Sequence, residues 1–296
     1  MTPRDCGLRL APAWSEPGRF WMAWPQATGD KDHDEAARED TLGLAELLSE
    51  YAPVTLVCPF RDVAEASLRS PPGVAAFGAD HDGSPLRDHA PLWLVDAHGA
   101  LAAAVVHSPL SRAMAEIAQV PLLEAPAGLP LMIESDGEGC CLLPECDSKD
   151  DAARLLQFWL GMDKLVWLTP PPAGPVLGVR FLAPGLVAVT VEADERHANF
   201  SQRATNRDIV ADIVDGRGRL LRVVELPSAK RKEGSYADCL LAGERVVVPE
   251  FEDGRGGDAF ALVSAALPHR KVAAFPSSWI APHGAGLGAA VAVQPA

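Results

Sequence analysis

The sequence predicts an α/β fold made of internally repeated strand–helix–strand groups, continuous over 1–296 as one domain. Two observations point to this. Short apolar runs rich in β-branched or aromatic residues alternate along the chain with segments of helical periodicity. No low-complexity tract or shift in composition separates the two halves, although no clean sequence period emerges. With 48% hydrophobic residues, 25 glycines and 26 prolines, the chain has apolar material for a large core broken by frequent turns.

The pattern predicts buried strands over 20–24 and 54–58. Between them, 35–51 sets Leu42, Leu44, Leu47 and Leu48 near helical spacing with acidic residues opposite, and 62–68 is a second, shorter helix. Segments 92–95 and 100–106 flank Ala97-His98-Gly99 as a hairpin, followed by a helix over 110–117. A helix over 150–160 leads to a strand over 165–168, which stops at Pro170-Pro171-Pro172 because proline donates no ladder hydrogen bond. Then come a turn entering a strand over 181–190, a helix over 199–214 and a strand over 220–226. Segment 228–234 is a charged surface loop, 239–248 a hairpin and 258–267 a helix.

Forty acidic against 26 basic residues leave a net charge of −14. Such a field repels phosphate backbones, so nucleic acid is not an expected partner. It permits small cations, among them polyamines and guanidinium compounds. There is no apolar run of about 18 or more residues and no signal-peptide pattern, so the expectation is a cytoplasmic protein without a membrane partner. The six cysteines are spaced too irregularly for a secreted disulfide framework. Cys140, Cys141 and Cys146 lack zinc-ligand spacing and have no nearby histidine, so they are read as reduced core thiols; no metal and no cofactor are expected.

Several residues carry two readings. Trp21 and Trp24 could line a pocket, but aromatics on a strand are more commonly core. Gly284, Gly286 and Gly288 have dinucleotide-loop spacing, yet no following helix is predicted, so a pyrophosphate site is not expected. His283 reads as exposed beside that glycine turn, and the sequon at Asn199 has no meaning without secretion. Alternation of strand faces allows only one of Asp238 and Cys239 to point inward.

Collinear segments carry a family resemblance. They are 11–25 with its tryptophans, Arg87-Asp88-His89-Ala90-Pro91 followed by 95–99, Asp136-Gly137-Glu138-Gly139, 160–168, 180–185, 215–227, 234–237, Val248-Pro249 and 281–296. Taken in order, they resemble agmatine deiminases and the related bacterial-type peptidyl-arginine deiminases. The resemblance implies a five-bladed, pseudo-fivefold α/β propeller with its active site on the axis. It implies hydrolysis of agmatine to N-carbamoylputrescine and ammonia, in putrescine biosynthesis. That reaction needs a thiolate nucleophile, a proton-shuttling histidine and carboxylates that clamp the guanidinium.

The family pattern puts Ala289 where the cysteine stands and Gly288 where a histidine precedes it. Gly174 and Val176 fall on the acid–base loop, and Leu129-Pro130-Leu131 on a segment that carries a carboxylate in the family. Asp88 matches a guanidinium-binding carboxylate, or else is a structural partner of Arg87 or a backbone amide. Asp88, Trp21 and Asp238 are the substrate-side candidates. The expectation is a pseudoenzyme that acts through a small cationic ligand or a partner, with a homodimer as a candidate assembly. Two alternatives remain: an active hydrolase that uses Cys239 or Cys140, and a purely structural propeller paired with an active paralogue.

Overall fold

The computed structural model describes residues 2–81, 86–106, 108–130, 132–172, 177–230, 234–278 and 286–296. Among the described residues the strands form five sheets with one shared plan. Two strands pair antiparallel, and the second continues through a helix into a strand parallel to it. The helix is needed because a parallel partner can be reached only by a crossover.

In the first sheet Val291–Pro295 pairs with Pro17–Ala23, helix Lys31–Ser49 leads to Val54–Cys58, and helix Val63–Arg69 adds Val74–Gly78. The second joins Leu92–Val95 to Leu101–Val105 and, through helix Pro109–Ala118, to Leu122–Glu124, with Arg9–Leu10 on its edge. The third holds Glu134–Ser135, Cys140–Pro144 and Lys164–Leu168; the fourth holds Val179–Ala183, Leu186–Val191 and Arg222–Pro227. The fifth holds Leu240–Ala242, Arg245–Glu250 and Lys271–Pro276. Helices Lys149–Leu155, Phe200–Ala211 and Gly256–Ala266 make the last three crossovers.

The core lies between the sheets. Phe20 and Leu56 pack on Leu240 and Val247, joining the first sheet to the fifth. Trp21 and Val57 pack on Trp93 and Val105 of the second. Leu94 and Ala104 meet Cys141 and Leu143 of the third, whose Cys140 and Leu142 meet Phe181 and Val189 of the fourth. Leu182 and Ala188 of the fourth then meet Leu241 and Val248 of the fifth. The five junctions close a ring, the expected five-bladed propeller. Adjacent residues such as Phe20 and Trp21, or Cys140 and Cys141, enter different junctions because side chains alternate across a strand. Burial on both faces is why these strands read as unbroken apolar runs.

The ring is sealed where the two ends of the chain meet. Val291–Pro295 lies against Pro17–Ala23, and the Trp21 indole N–H donates to Gln294 Oε1 at 3.1 Å.

Some expectations change. The first helix begins at Lys31, earlier than 35, because Asp30 caps the amides of Asp32 and His33 at 3.1 and 3.2 Å. The segment 181–190 is a complete hairpin rather than a turn entering one strand, and Gly185 supplies the left-handed turn position. The helix expected over 150–160 widens into a π-helical turn at Leu156–Leu160 and stops at left-handed Gly161. The loop at 228–234 is not surface at its start: Ser228 and Ala229 are buried, and Arg255 Nη1 donates to Ser228 O at 2.7 Å. A four-residue helix, Leu287–Ala290, contains the last glycine of the glycine motif, and a strand rather than a helix follows it. Among the described residues no helix is long and apolar enough to cross a membrane, and no group of His, Cys, Asp and Glu could hold a metal ion.

Candidate functional site

Charged residues on this scaffold belong at the surface unless they are paired, yet a charged cluster sits where the five sheets meet. Arg87 comes from the turn Leu86–Asp88 that precedes the second sheet's hairpin. Glu134 opens the third sheet and Arg180 lies within the first strand of the fourth. Asp238 lies two residues before the fifth, and Gly288 precedes the strand that closes the first. Arg180 Nη1 donates to Asp238 Oδ1 at 2.7 Å, with both side chains 8% exposed. Arg180 Nε lies 3.9 Å from Glu134 Oε2, and Arg87 Nη1 lies 3.7 Å from Glu134 Oε1.

Burial acts against the charge on Arg180, but Glu134 and Asp238 outweigh it and raise its pKa, so Arg180 stays a cation. Burial raises the Glu134 pKa above the ordinary carboxylate range, against the pull of Arg180 and Arg87. The glycine motif makes room for the ion pair. A Cβ on Gly286 would sit 2.7 Å from Asp238 Oδ2. One on Gly288 would fall onto Arg180 Nη1, 2.6 Å from Arg180 Cζ and 2.5 Å from Asp238 Oδ1.

Beside the cluster is a cavity of about 140 Å³. Arg87, Glu134 and Arg180 supply its charged lining, and much of the rest is apolar, including Leu10, Pro12, Trp93, Val291 and Val293.

The sequence profile of the Porphyromonas-type peptidyl-arginine deiminases matches residues 9–295, nearly the whole chain. The chain belongs to that family. A Streptomyces coelicolor protein with a provisional agmatine deiminase name is 26% identical, and the match spans 97% of this chain and 99% of that one. The solved agmatine deiminase of Enterococcus faecalis superposes with a TM-score of 0.89 at 19% identity, over 99% of this chain and 97% of its own. The C. jejuni agmatine deiminase superposes at 0.80 with 19% identity, over 97% and 96%. At such identities the structural likeness shows the fold, which is the deiminase propeller.

In this deiminase-family chain Asp238 is the expected candidate that reaches the cluster. Cys239, its neighbour, turns into the junction between the fourth and fifth sheets, where its thiol donates to Tyr236 O at 3.1 Å. Burial pushes the Cys239 thiol up to about 12 although Arg180 pulls the other way, and burial likewise pushes Cys140 to about 12. Trp21 is fully buried in the junction between the first and second sheets, with Arg19 5.5 Å over its ring. Ala289 is buried on the short helix, its amide donating to Gly286 O at 3.1 Å. Asp88 has its backbone in the turn at Leu86–Asp88, but its side chain lies outside the described set, as do residues Gly174, Val176 and His283.

Sequence reasoning passed over Glu134 and used Arg180 only as a flanking landmark. The available signal was a charged residue within or beside an apolar strand, such as Arg180 between Val179 and Phe181.

Proposed function

We propose that this chain is a member of the deiminase family that binds a small molecule at the ring axis and does not hydrolyse guanidinium compounds. The observation that carries this reading is the axial cluster. Its described members, Glu134, Arg180 and Asp238 against Gly288, include two carboxylates already turned to an internal guanidinium and no thiol. Deimination needs a nucleophile at the guanidinium carbon, and the resemblance puts Ala289 at that place.

The buried thiols Cys239 and Cys140 do not substitute for it. With values near 12, the thiolate that would attack is a minute fraction at neutral pH. The cavity beside the cluster favours ligand binding over a purely structural role, because a scaffold needs no charged recess at its centre.

The test is ammonia release from agmatine and from peptidyl-arginine. The expected result is no turnover, and none from Ala289→Cys alone, since a nucleophile that works as a unit with its base recovers little when restored singly. Turnover by the unmodified protein that Cys239→Ser abolishes would establish a relocated thiol instead. Turnover indifferent to every cysteine substitution would refute both enzyme models.

A further inference from the structure

We propose that His197 is a proton-operated switch at the start of helix Phe200–Ala211. Neutral, it holds the residue that begins the helix; protonated, it lets go and joins the Glu192 carboxylate. The Asn199 backbone N–H donates to His197 Nδ1 at 3.1 Å, and Asn199 O accepts the helix's first bond, from the Arg203 amide at 2.9 Å. Accepting at Nδ1 requires a lone pair there, so this arrangement belongs to the neutral ring with its hydrogen on Nε2. Glu192 Oε2 lies 3.8 Å from the same Nδ1, beyond hydrogen-bond range, and two acceptors facing each other gain nothing.

A proton on Nδ1 reverses both relations. The ring can no longer accept from the Asn199 amide, and Glu192 Oε2 becomes the acceptor within reach. The ring is on a turn and a quarter exposed, so it can close the gap to the roughly 2.7–2.9 Å of a charge-assisted bond without moving the core. The surrounding charges favour the same exchange. The amide end of the helix is the positive end of its dipole and repels an imidazolium, as does Arg196 beside it in the turn. Asp194 Oδ1 is taken by the Arg196 amide at 3.0 Å, and Glu195 is an exposed carboxylate of the same turn. Arg203 shares Glu192 Oε2 at 3.1 Å, and Arg255 approaches from the fifth sheet through Ser228, whose hydroxyl donates to Glu192 Oε2 at 2.6 Å.

The switch acts where sheets are tied together. Glu192 follows strand Leu186–Val191, Ser228 follows Arg222–Pro227, and Arg255 stands in front of helix Gly256–Ala266. Protonation therefore adds a donor to this clasp and unfastens the start of helix Phe200–Ala211. That first turn carries Gln202, whose Nε2 donates to Thr169 O at 2.9 Å at the end of the third sheet.

The experiment follows the full chain by NMR from about pH 8 to about pH 5, the span in which histidines titrate. At the upper end the imidazole nitrogen shifts should show the hydrogen on Nε2 and a bonded lone pair on Nδ1. As the ring takes its proton, the Asn199 amide should lose hydrogen-exchange protection several-fold. Glu192, held below its usual 4.5, stays ionised over this span, so its carboxyl resonance should move only with the imidazole midpoint. These readings need only the unmodified protein. His197→Asn adds a comparison, because an asparagine oxygen accepts from the amide two residues on and does not titrate; there the Asn199 amide should keep its protection throughout. A neutral ring with its hydrogen on Nδ1 would overturn the proposal. So would an Asn199 amide indifferent to the imidazole titration, a Glu192 resonance that does not follow it, or the same loss of protection in His197→Asn.

Discussion

Gly288→Ala is the sharpest perturbation of the axial cluster, since it adds one methyl group. Gly288 is outside the left-handed backbone region, so alanine carries no conformational penalty there and the effect is steric. The new Cβ would fall onto Arg180 Nη1 and lie 2.5 Å from Asp238 Oδ1. Nη1 is the far end of a flexible side chain, so the guanidinium swings away and the fold survives. What is lost is the 2.7 Å ion pair, with Asp238 left buried and unpartnered. Breaking a buried pair in this way costs about 3–5 kcal/mol. At this chain length, with roughly 2 °C per kcal/mol, Tm should fall by roughly 6–10 °C.

The assay is urea denaturation of the single variants and of the double variant with Arg180→Ala. Once the guanidinium is gone, the added methyl meets chiefly Asp238, and its cost should drop to the overpacking range of about 1–3 kcal/mol. The two substitutions should therefore be strongly non-additive. Strict additivity, or a Gly288→Ala cost below ~0.5 kcal/mol, would refute the claim that Gly288 exists to admit Arg180.

Two further outcomes follow from buried polar contacts. Glu192 accepts from Ser228 Oγ at 2.6 Å, from the Asp194 amide at 3.0 Å and from Arg203 Nη1 at 3.1 Å. Burial raises its pKa, but these donors and nearby His197 outweigh it and hold the carboxyl below its usual 4.5. Burial lowers the Arg203 pKa against the pull of Glu192, but a guanidinium stays protonated at neutral pH, so Arg203 is the cationic member of the clasp beside two neutral donors. A depressed acid contributes stability above its unfolded pKa and loses it as pH falls through the folded one. Glu192→Gln should thus be less stable near neutrality and lose less on acidification, and urea midpoints with an unchanged acid slope would count against this. Trp21→Phe keeps an aromatic side chain but removes the N–H donor to Gln294 Oε1 where the ends of the chain meet, together with part of the buried ring. The expected cost in the same assay is therefore at least that of the unpaired acceptor, about 1–3 kcal/mol. A change under ~0.5 kcal/mol would mean that this bond adds nothing to ring closure.

Local chemistry made most of the elements legible. Val54–Cys58 is an apolar β-branched run, and Leu92–Val95 and Leu101–Val105 surround an obvious turn, so their signals are complete within a few residues. The parallel third strands Val74–Gly78, Leu122–Glu124 and Lys271–Pro276 were not legible, because they are half-exposed and lack a strong apolar run. They are strands because a buried neighbour offers them its free edge. The propeller itself came from collinear motifs rather than periodicity, since each junction is filled from two sheets whose sequences need only be apolar.

The axial site divides in the same way. The sequence by itself determined that a thiol is not at Ala289 and that Gly286 and Gly288 lack side chains. Only the tertiary structure decided what those glycines are for. Their dinucleotide-loop spacing had already been read as no pyrophosphate site, and the space they leave holds the Arg180–Asp238 pair. Asp238 pairs with Arg180 and Cys239 turns away, both in the two residues before the strand Leu240–Ala242 rather than within it, a choice the sequence had left open. Glu134 and Arg180 belong to different sheets and acquire a common environment only when the ring closes, since burial and pairing of charge depend on neighbours distant in sequence.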